Sequence, residues 1–298
     1  MSGVGGLGTG QRGEGVPPAG PARPSDEAGV AGGGGADSGG PGGVGSRGPG
    51  GVGSRGRRGD LWEEHAGWWQ AHFTQGVDPE YEEQILPLVA AWLPDRGRVL
   101  DVGTGEGQVA RLAAGPGRGV VGIDPARAQV SEAVRRGGPP GWLAYAQAEA
   151  ARLPARDGSF NAVVACLVFE HITDAPRAIA EVARVLRPGG RFLFLLNHPL
   201  LQTPGSGWID DRILGEQYWR VGPYLVEDET VEEVEKGVFI PFVHRPLSAY
   251  VNAMAASGLV LVRMEEPAPP AGFLARAFEY GQAATIPRLL MMVAERVR

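Results

Sequence analysis

The stretch Val99-Leu100-Asp101-Val102-Gly103-Thr104-Gly105-Glu106-Gly107 runs from an apolar strand into an acid and then into alternating glycines. Glycine has no Cβ, accepts positive φ, and lets backbone N–H groups approach a ligand closely. Gln108 to Ala114, which follows, has the composition of a helix start, and the N-terminus of that helix would face the ligand. The spacing discriminates between nucleotide-type ligands. A dinucleotide fingerprint counted from Gly103 requires its third glycine at position 108, which is Gln108; the glycine falls at Gly107 instead.

Working outward, short apolar runs alternate with helical patterns. Arg98–Val102, Gly119–Ile123, Trp142–Gln147, Phe160–Val168 and Arg191–Leu196 read as strands, and Gln108–Ala114, Ala126–Arg135 and Ala175–Leu186 as helices. The last of these strands follows a turn at Arg187-Pro188-Gly189-Gly190. Such alternation requires crossover connections, and therefore a doubly wound, mostly parallel sheet covered on both faces. Two helices, over Leu61–Phe73 and Pro79–Leu93, precede the first strand. After Asn197 the pattern changes to a hairpin excursion around Thr230–Val243, turning at Lys236-Gly237. Leu247–Ser257 returns as a helix, and Leu259–Met264 and Arg288–Glu295 bring the α/β sheet to seven strands, with Glu266–Pro287 as an insertion.

Composition sets the outer limits. Residues 1–59 hold 24 of the 48 glycines and an eight-residue duplication, Gly40–Arg47 repeated as Gly48–Arg55, with few large apolar side chains. Such a segment cannot offset the entropy of ordering itself and reads as a disordered Gly/Pro-rich tail. Its glycines lack the three-residue period of collagen, and no apolar segment marks a secretory signal. Its six arginines are sparse and have no aromatics among them, which argues against a nucleic-acid-binding arm. Residues 60–298 carry a net charge of −8, unsuited to a nucleic-acid or anionic-membrane surface. No apolar run reaches the roughly 18 residues of a membrane span, so a cytoplasmic location is the default. Cys166 is the single cysteine, which excludes an internal disulfide and a cysteine-rich zinc site. No His and carboxylate cluster has metal-ligand spacing.

Further pieces share a direction. Gly122-Ile123-Asp124 places an acid at the end of the second strand, 21 residues past Gly103, where a carboxylate can accept both ribose hydroxyls. Ala148-Glu149-Ala150-Ala151-Arg152-Leu153-Pro154 is followed by Asp157-Gly158-Ser159-Phe160-Asn161-Ala162-Val163, then Glu170-His171-Ile172 and Arg184-Val185-Leu186-Arg187-Pro188-Gly189-Gly190. Together with Asp101-x-Gly103-x-Gly105-x-Gly107 this set, over residues 97–197, resembles class I S-adenosylmethionine-dependent methyltransferases of the ubiquinone and menaquinone-biosynthesis type. The resemblance implies a Rossmann-like fold and S-adenosyl-L-methionine as cofactor. Asp101, Gly103 and Gly105 would then shape the methionine side, Asp124 the ribose, and Glu149 with the Ala150 N–H the adenine. Cys166 would offer its backbone carbonyl to the cofactor's amino group. Glu149 is one methylene longer than the usual Asp, and Asn161 replaces an Asp whose family role is mainly structural.

The implied layout is 60–96 as N-terminal helices forming a lid, 97–197 as cofactor-binding core, 198–246 as substrate cap, and 247–298 as C-terminal helix and strands. The function expected is methyl transfer to a small-molecule acceptor. A non-catalytic cofactor-binding protein of the same fold and a dinucleotide-dependent oxidoreductase are the alternatives. An oxygen nucleophile, or a carbon beside a phenol, reacts faster when a base removes a proton, and imidazole titrates near working pH. His198, just past the fifth strand, and His244, after the apolar run of the excursion, are the candidate bases. His171 adjoins Glu170, but neighbouring side chains diverge, so it reads as a helix-entry residue. His65 and His72 fall on the first helix and read as surface. Tyr218 and Trp219 are candidate walls of an acceptor pocket, and the acid run Glu227–Glu235 is a solvated hairpin face.

Overall fold

The structure is a computed structural model and describes residues 58–74, 77–211, 213–277 and 282–297. The disordered-tail expectation therefore falls outside the described residues, apart from Arg58 and Gly59, which begin the first helix. That helix is in fact two: α1 (Arg58–Glu64) and α2 (Ala66–His72), broken at His65. The next segment starts as a π-helical turn over Tyr81–Ile85 and continues as α3 (Leu86–Trp92). Pro87 explains the wide turn. Proline has no N–H to give and its ring crowds the preceding turn, so the chain loosens ahead of it.

The strands follow the alternation read above: β1 (Gly97–Val102), α4 (Gln108–Ala113), β2 (Arg118–Asp124), α5 (Arg127–Arg136), β3 (Leu143–Gln147), β4 (Phe160–Cys166), α6 (Ala175–Val185) and β5 (Leu186–Asn197). The Arg187–Gly190 turn lies inside β5 instead of before it, as an irregularity in the β4–β5 register between Phe160 and Ala162. Gly189 makes it possible with a φ of 72°. Beyond β5 come two hairpins, β6 (Gly207–Asp211) with β7 (Glu216–Arg220), and β8 (Asp228–Glu235) with β9 (Val238–His244). The second has the expected turn at Lys236-Gly237; the first was not foreseen. The chain then adds α7 (Leu247–Ala256), β10 (Leu259–Glu265), α8 (Ala271–Arg276) and β11 (Leu289–Arg296).

The seven-stranded sheet has the order β10-β11-β5-β4-β1-β2-β3, with β11 antiparallel to both its neighbours and every other pairing parallel. Its central strands are buried on both faces because successive side chains point to opposite sides. Leu100, Val163, Phe192 and Phe194 face α6 and α7, while Val99, Val164, Leu193 and Leu195 face α3 and α4. Each such buried side chain contributes roughly 1.5–3 kcal/mol relative to exposure. The chain runs β1 to β3 in one direction and then crosses back to β4 on the other side of β1. Ligands of open α/β sheets bind where the strand order reverses, at the carboxyl ends, here those of β1 and β4.

Candidate functional site

The loop leaving β1 is fastened by short polar contacts. Thr104 donates its backbone N–H to the Ile123 carbonyl at 2.8 Å and its hydroxyl to Asp101 Oδ2 at 2.6 Å. Asp124 accepts the Gly105 N–H at 3.0 Å and the Ala126 N–H at 2.9 Å, one on each oxygen. A carboxylate has about four acceptor sites, so each oxygen keeps capacity for another donor. Gly103, Gly105 and Gly107 take φ of 68°, 53° and 89°.

The three glycines serve different ends. A Cβ on Gly103 would run into Val168, and one on Gly107 into Tyr145, so packing and positive φ both call for glycine there. A Cβ on Gly105 would meet only Trp69 Nε1, at 3.9 Å, and would project into open space. That space is a cavity of about 380 Å³, within the usual size of small-molecule sites. α4 is six residues long, so its dipole is small, and the loop amides and carboxylates supply most of the field.

All seven residues expected to hold a cofactor, Asp101, Gly103, Gly105, Asp124, Glu149, Ala150 and Cys166, line this one cavity. Asp101 is 1% exposed, and burial pushes its carboxyl up to about 7, with the Asp124 charge adding to the rise and the Thr104 hydroxyl opposing it. Burial likewise lifts Asp124 to about 6, opposed by the Ala126 and Gly105 amides. Both carboxyls therefore hold their protons more tightly than an exposed carboxylate, and a cation or hydroxyl donor beside them would favour their ionised form. Glu149 stands exposed at the rim. Cys166 ends β4 with its thiol buried, which raises its pKa and makes it unreactive. Leu167, the next residue, takes a φ of 56°, a strained backbone of the kind that clusters at functional sites. Among the described residues no group of His, Cys, Asp or Glu is arranged to hold a metal ion.

The roof comes from the N-terminal helices. Trp62 of α1 and Trp69 of α2 line the cavity with Phe73, their rings in contact at 5.7 Å (Trp62–Trp69) and 4.3 Å (Trp69–Phe73). Glu63 accepts the Ala128 N–H at the start of α5, and Trp68 Nε1 donates to Glu235 of β8 at 2.5 Å, so these helices bridge the core and the second hairpin. His65, at the break between α1 and α2, is buried near Phe239 instead of lying on the surface.

The candidate bases need correction. His198 does not line the cavity; it is buried at the end of β5, with Nε2 on Glu266 at 2.7 Å and Nδ1 accepting the Leu200 N–H at 3.1 Å. Both ring nitrogens are occupied in holding a turn. His244 is also absent from the lining, its Nε2 donating to the Tyr224 carbonyl at 2.8 Å. Tyr218 and Trp219 stay within the first hairpin, where Trp219 packs on Trp208 at 5.7 Å, and do not reach the cavity. The histidine that does line it is His171. Its neighbour Glu170 turns inward, accepting the Asn197 N–H and side-chain amide, and burial pushes its carboxyl up to about 7. Adjacent side chains do diverge here, and of the two residues His171 is the one that lines the cavity. Asn161 accepts the Arg98 N–H at 3.0 Å, a structural position.

The family described as Methyltransferase domain matches residues 100–194. The chain is similar to the demethylmenaquinone methyltransferase of Thermus thermophilus, 34% identical over 123 residues, which cover 40% of this chain and 55% of the relative. It is 39% identical over 122 residues to a malonyl-[acyl-carrier protein] O-methyltransferase of Geobacter sulfurreducens, covering 40% of this chain and 46% of the relative. The chain thus spans about half the length of the curated relatives it matches. Among solved structures, an S-adenosylmethionine-dependent methyltransferase from Mesorhizobium loti matches with a TM-score of 0.59 at 28% identity, over 70% of this chain and 96% of that one.

Proposed function

We infer the activity from the family: the chain belongs to the class I S-adenosylmethionine-dependent methyltransferase superfamily, whose cofactor is S-adenosyl-L-methionine, and we propose that it transfers a methyl group to a small-molecule acceptor. The observation that carries this reading is Gly105, whose missing Cβ opens onto a cavity lined by two buried carboxylates. In this reading Asp101, Gly103 and Gly105 hold the methionine end, Asp124 the ribose hydroxyls, Glu149 and the Ala150 N–H the adenine, and the Cys166 carbonyl the amino group. When bound, S-adenosylmethionine supplies an activated methyl on a sulfonium with a neutral thioether as leaving group. The protein's task is then to align an acceptor with that methyl and to exclude water.

A small acceptor suits a cavity of about 380 Å³ lined by Trp62, Trp69 and Phe73. The acidic balance of residues 60–298 argues in the same direction. Among the described residues no helix is long and apolar enough to cross a membrane, and we place the reaction in the cytoplasm. The relatives' names mention demethylmenaquinone in one case and malonyl-acyl-carrier protein in another, so they do not choose between acceptors. Incubating the full chain with methyl-labelled S-adenosylmethionine and host cell extract tests the proposal. Label is expected in a low-mass, solvent-extractable product that depends on the added chain. Label confined to protein or nucleic acid, or no chain-dependent label, would contradict it.

A further inference from the structure

His171 sits on the 3-10 turn Phe169–His171 that follows β4, and it is the only histidine of the described residues in the cavity lining. Its ring is wedged between Trp62, at 4.7 Å between centroids, and Phe242, at 4.9 Å. Nδ1 lies 2.7 Å from the Pro241 carbonyl oxygen. A carbonyl can only accept, so Nδ1 carries the hydrogen and the neutral ring keeps its lone pair on Nε2. Burial lowers the imidazole pKa to about 4, which keeps that lone pair available throughout the neutral range. Arg245 steadies the same turn from the other side, donating to the Phe169 and Thr173 carbonyls that flank His171. The second hairpin therefore fixes both the tautomer and the orientation of this ring.

The surroundings narrow what could meet it. Trp62, Trp69 and Phe73 offer flat apolar surface, and among the described residues no lysine or arginine lines the cavity. A phosphate or carboxylate on the acceptor would find no arginine or lysine to hold it, only the cofactor's own charge. A hydroxyl stays neutral at pH 7 and becomes a strong nucleophile only as its proton leaves.

We propose that the acceptor is an uncharged molecule with an aromatic body and a hydroxyl group, and that His171 Nε2 receives the hydrogen of that hydroxyl. The inference rests on the methyltransferase reading and deepens it. In the transfer, the acceptor O–H bond breaks and its proton passes to Nε2. The oxygen lone pair forms the new bond to the methyl carbon, the S–C electron pair stays on sulfur, and the imidazolium later gives its proton to water.

Binding of 4-phenylphenol and of its methyl ether, 4-methoxybiphenyl, to the full chain saturated with S-adenosylhomocysteine tests this without turnover. The phenol is expected to bind about tenfold more tightly, the value of one well-made hydrogen bond. In His171→Asn the side-chain amide can still donate to the Pro241 carbonyl while nothing replaces Nε2, so the preference should fall to about twofold with S-adenosylhomocysteine affinity unchanged. Should that variant unfold, the ¹⁵N resonance of Nε2 in the wild-type chain decides: the phenol should shift it and the ether should not. Equal binding of both probes, binding of neither, a preference that survives in His171→Asn, or an Nε2 signal indifferent to the phenol would overturn the proposal. Failure of S-adenosylhomocysteine itself to bind would overturn the methyltransferase reading instead.

Discussion

Gly105→Leu is expected to weaken S-adenosylhomocysteine binding by more than about a hundredfold while leaving the chain folded, an effect of over 2.7 kcal/mol on the affinity scale. The argument rests on where the new side chain goes. A Cβ at this position meets only Trp69 Nε1 at 3.9 Å, so leucine extends into the cavity without displacing core atoms. The fold bears the cost of a non-glycine residue at a φ of 53°, roughly 1–2 kcal/mol, which lowers the melting temperature by about 2–8 °C for a domain of this size. Gly103→Leu is the control, because its side chain would collide with Val168 and should unfold the loop. Isothermal titration beside thermal unfolding separates the two. A Gly105→Leu chain that binds within tenfold of wild type would remove Gly105 from the ligand's path.

The second large effect is on pH. Burial holds the Asp101 carboxyl near 7 and the Asp124 carboxyl near 6, so in the free protein both are largely protonated at pH 5. S-Adenosylhomocysteine brings an α-ammonium and S-adenosylmethionine a sulfonium as well, and both favour the ionised carboxylates. Binding at low pH must release protons, and affinity falls up to tenfold per unit for each proton released. Between pH 8 and pH 5 the S-adenosylmethionine dissociation constant is expected to rise by up to about a thousandfold, about a hundredfold from Asp101 and about tenfold from Asp124, with most of the change below pH 7. Asp101→Asn should flatten the upper part of that curve. Stability runs the other way. Both folded pKa values lie above the ordinary carboxylate range, so between about 4 and 7 the folded chain binds more protons than the unfolded one. The contribution of these groups to stability is complete below about pH 4 and is lost as pH rises through 6 to 7. An affinity unchanged from pH 8 to 5 would show that neither carboxylate contacts the ligand.

The sheet was legible because its signal is local. Each buried strand is an apolar run of period two or a solid block, and the observed bounds of β1 to β4 differ from the reading by a residue or two. The glycine loop was legible for the same reason, since Asp101, Gly103 and Gly105 lie within five residues of one turn. What could not be read depends on contacts made far along the chain. Phe239, 174 positions beyond His65, packs near that ring where the first helix breaks. The β6–β7 hairpin pairs Trp208 with Trp219 across a strand pair whose alternation is too short to stand out.

The histidines make the point most clearly. His198 and His171 both follow strands at the carboxyl edge of the sheet, so chain position ranks them alike. Glu266, contributed by the segment after β10, ties down His198, while Pro241 of β9 turns His171 to the cavity. Neither partner is visible from the local sequence. Trp62 and Trp69, seven residues apart in what reads as one helix, were the available hint that aromatic surface would cover the loop after β1, though they fall on α1 and α2.

The central claim, that the turn after β1 and the Asp101 and Asp124 carboxylates form an adenosyl-sulfonium site, is tested most directly by titrating the full chain at pH 8 with S-adenosylhomocysteine and, separately, with NADH. Saturable binding of one S-adenosylhomocysteine per chain, in the micromolar range of roughly −8 kcal/mol, with no heat from NADH, is the predicted result. Binding of NADH without S-adenosylhomocysteine, or of neither, would contradict it.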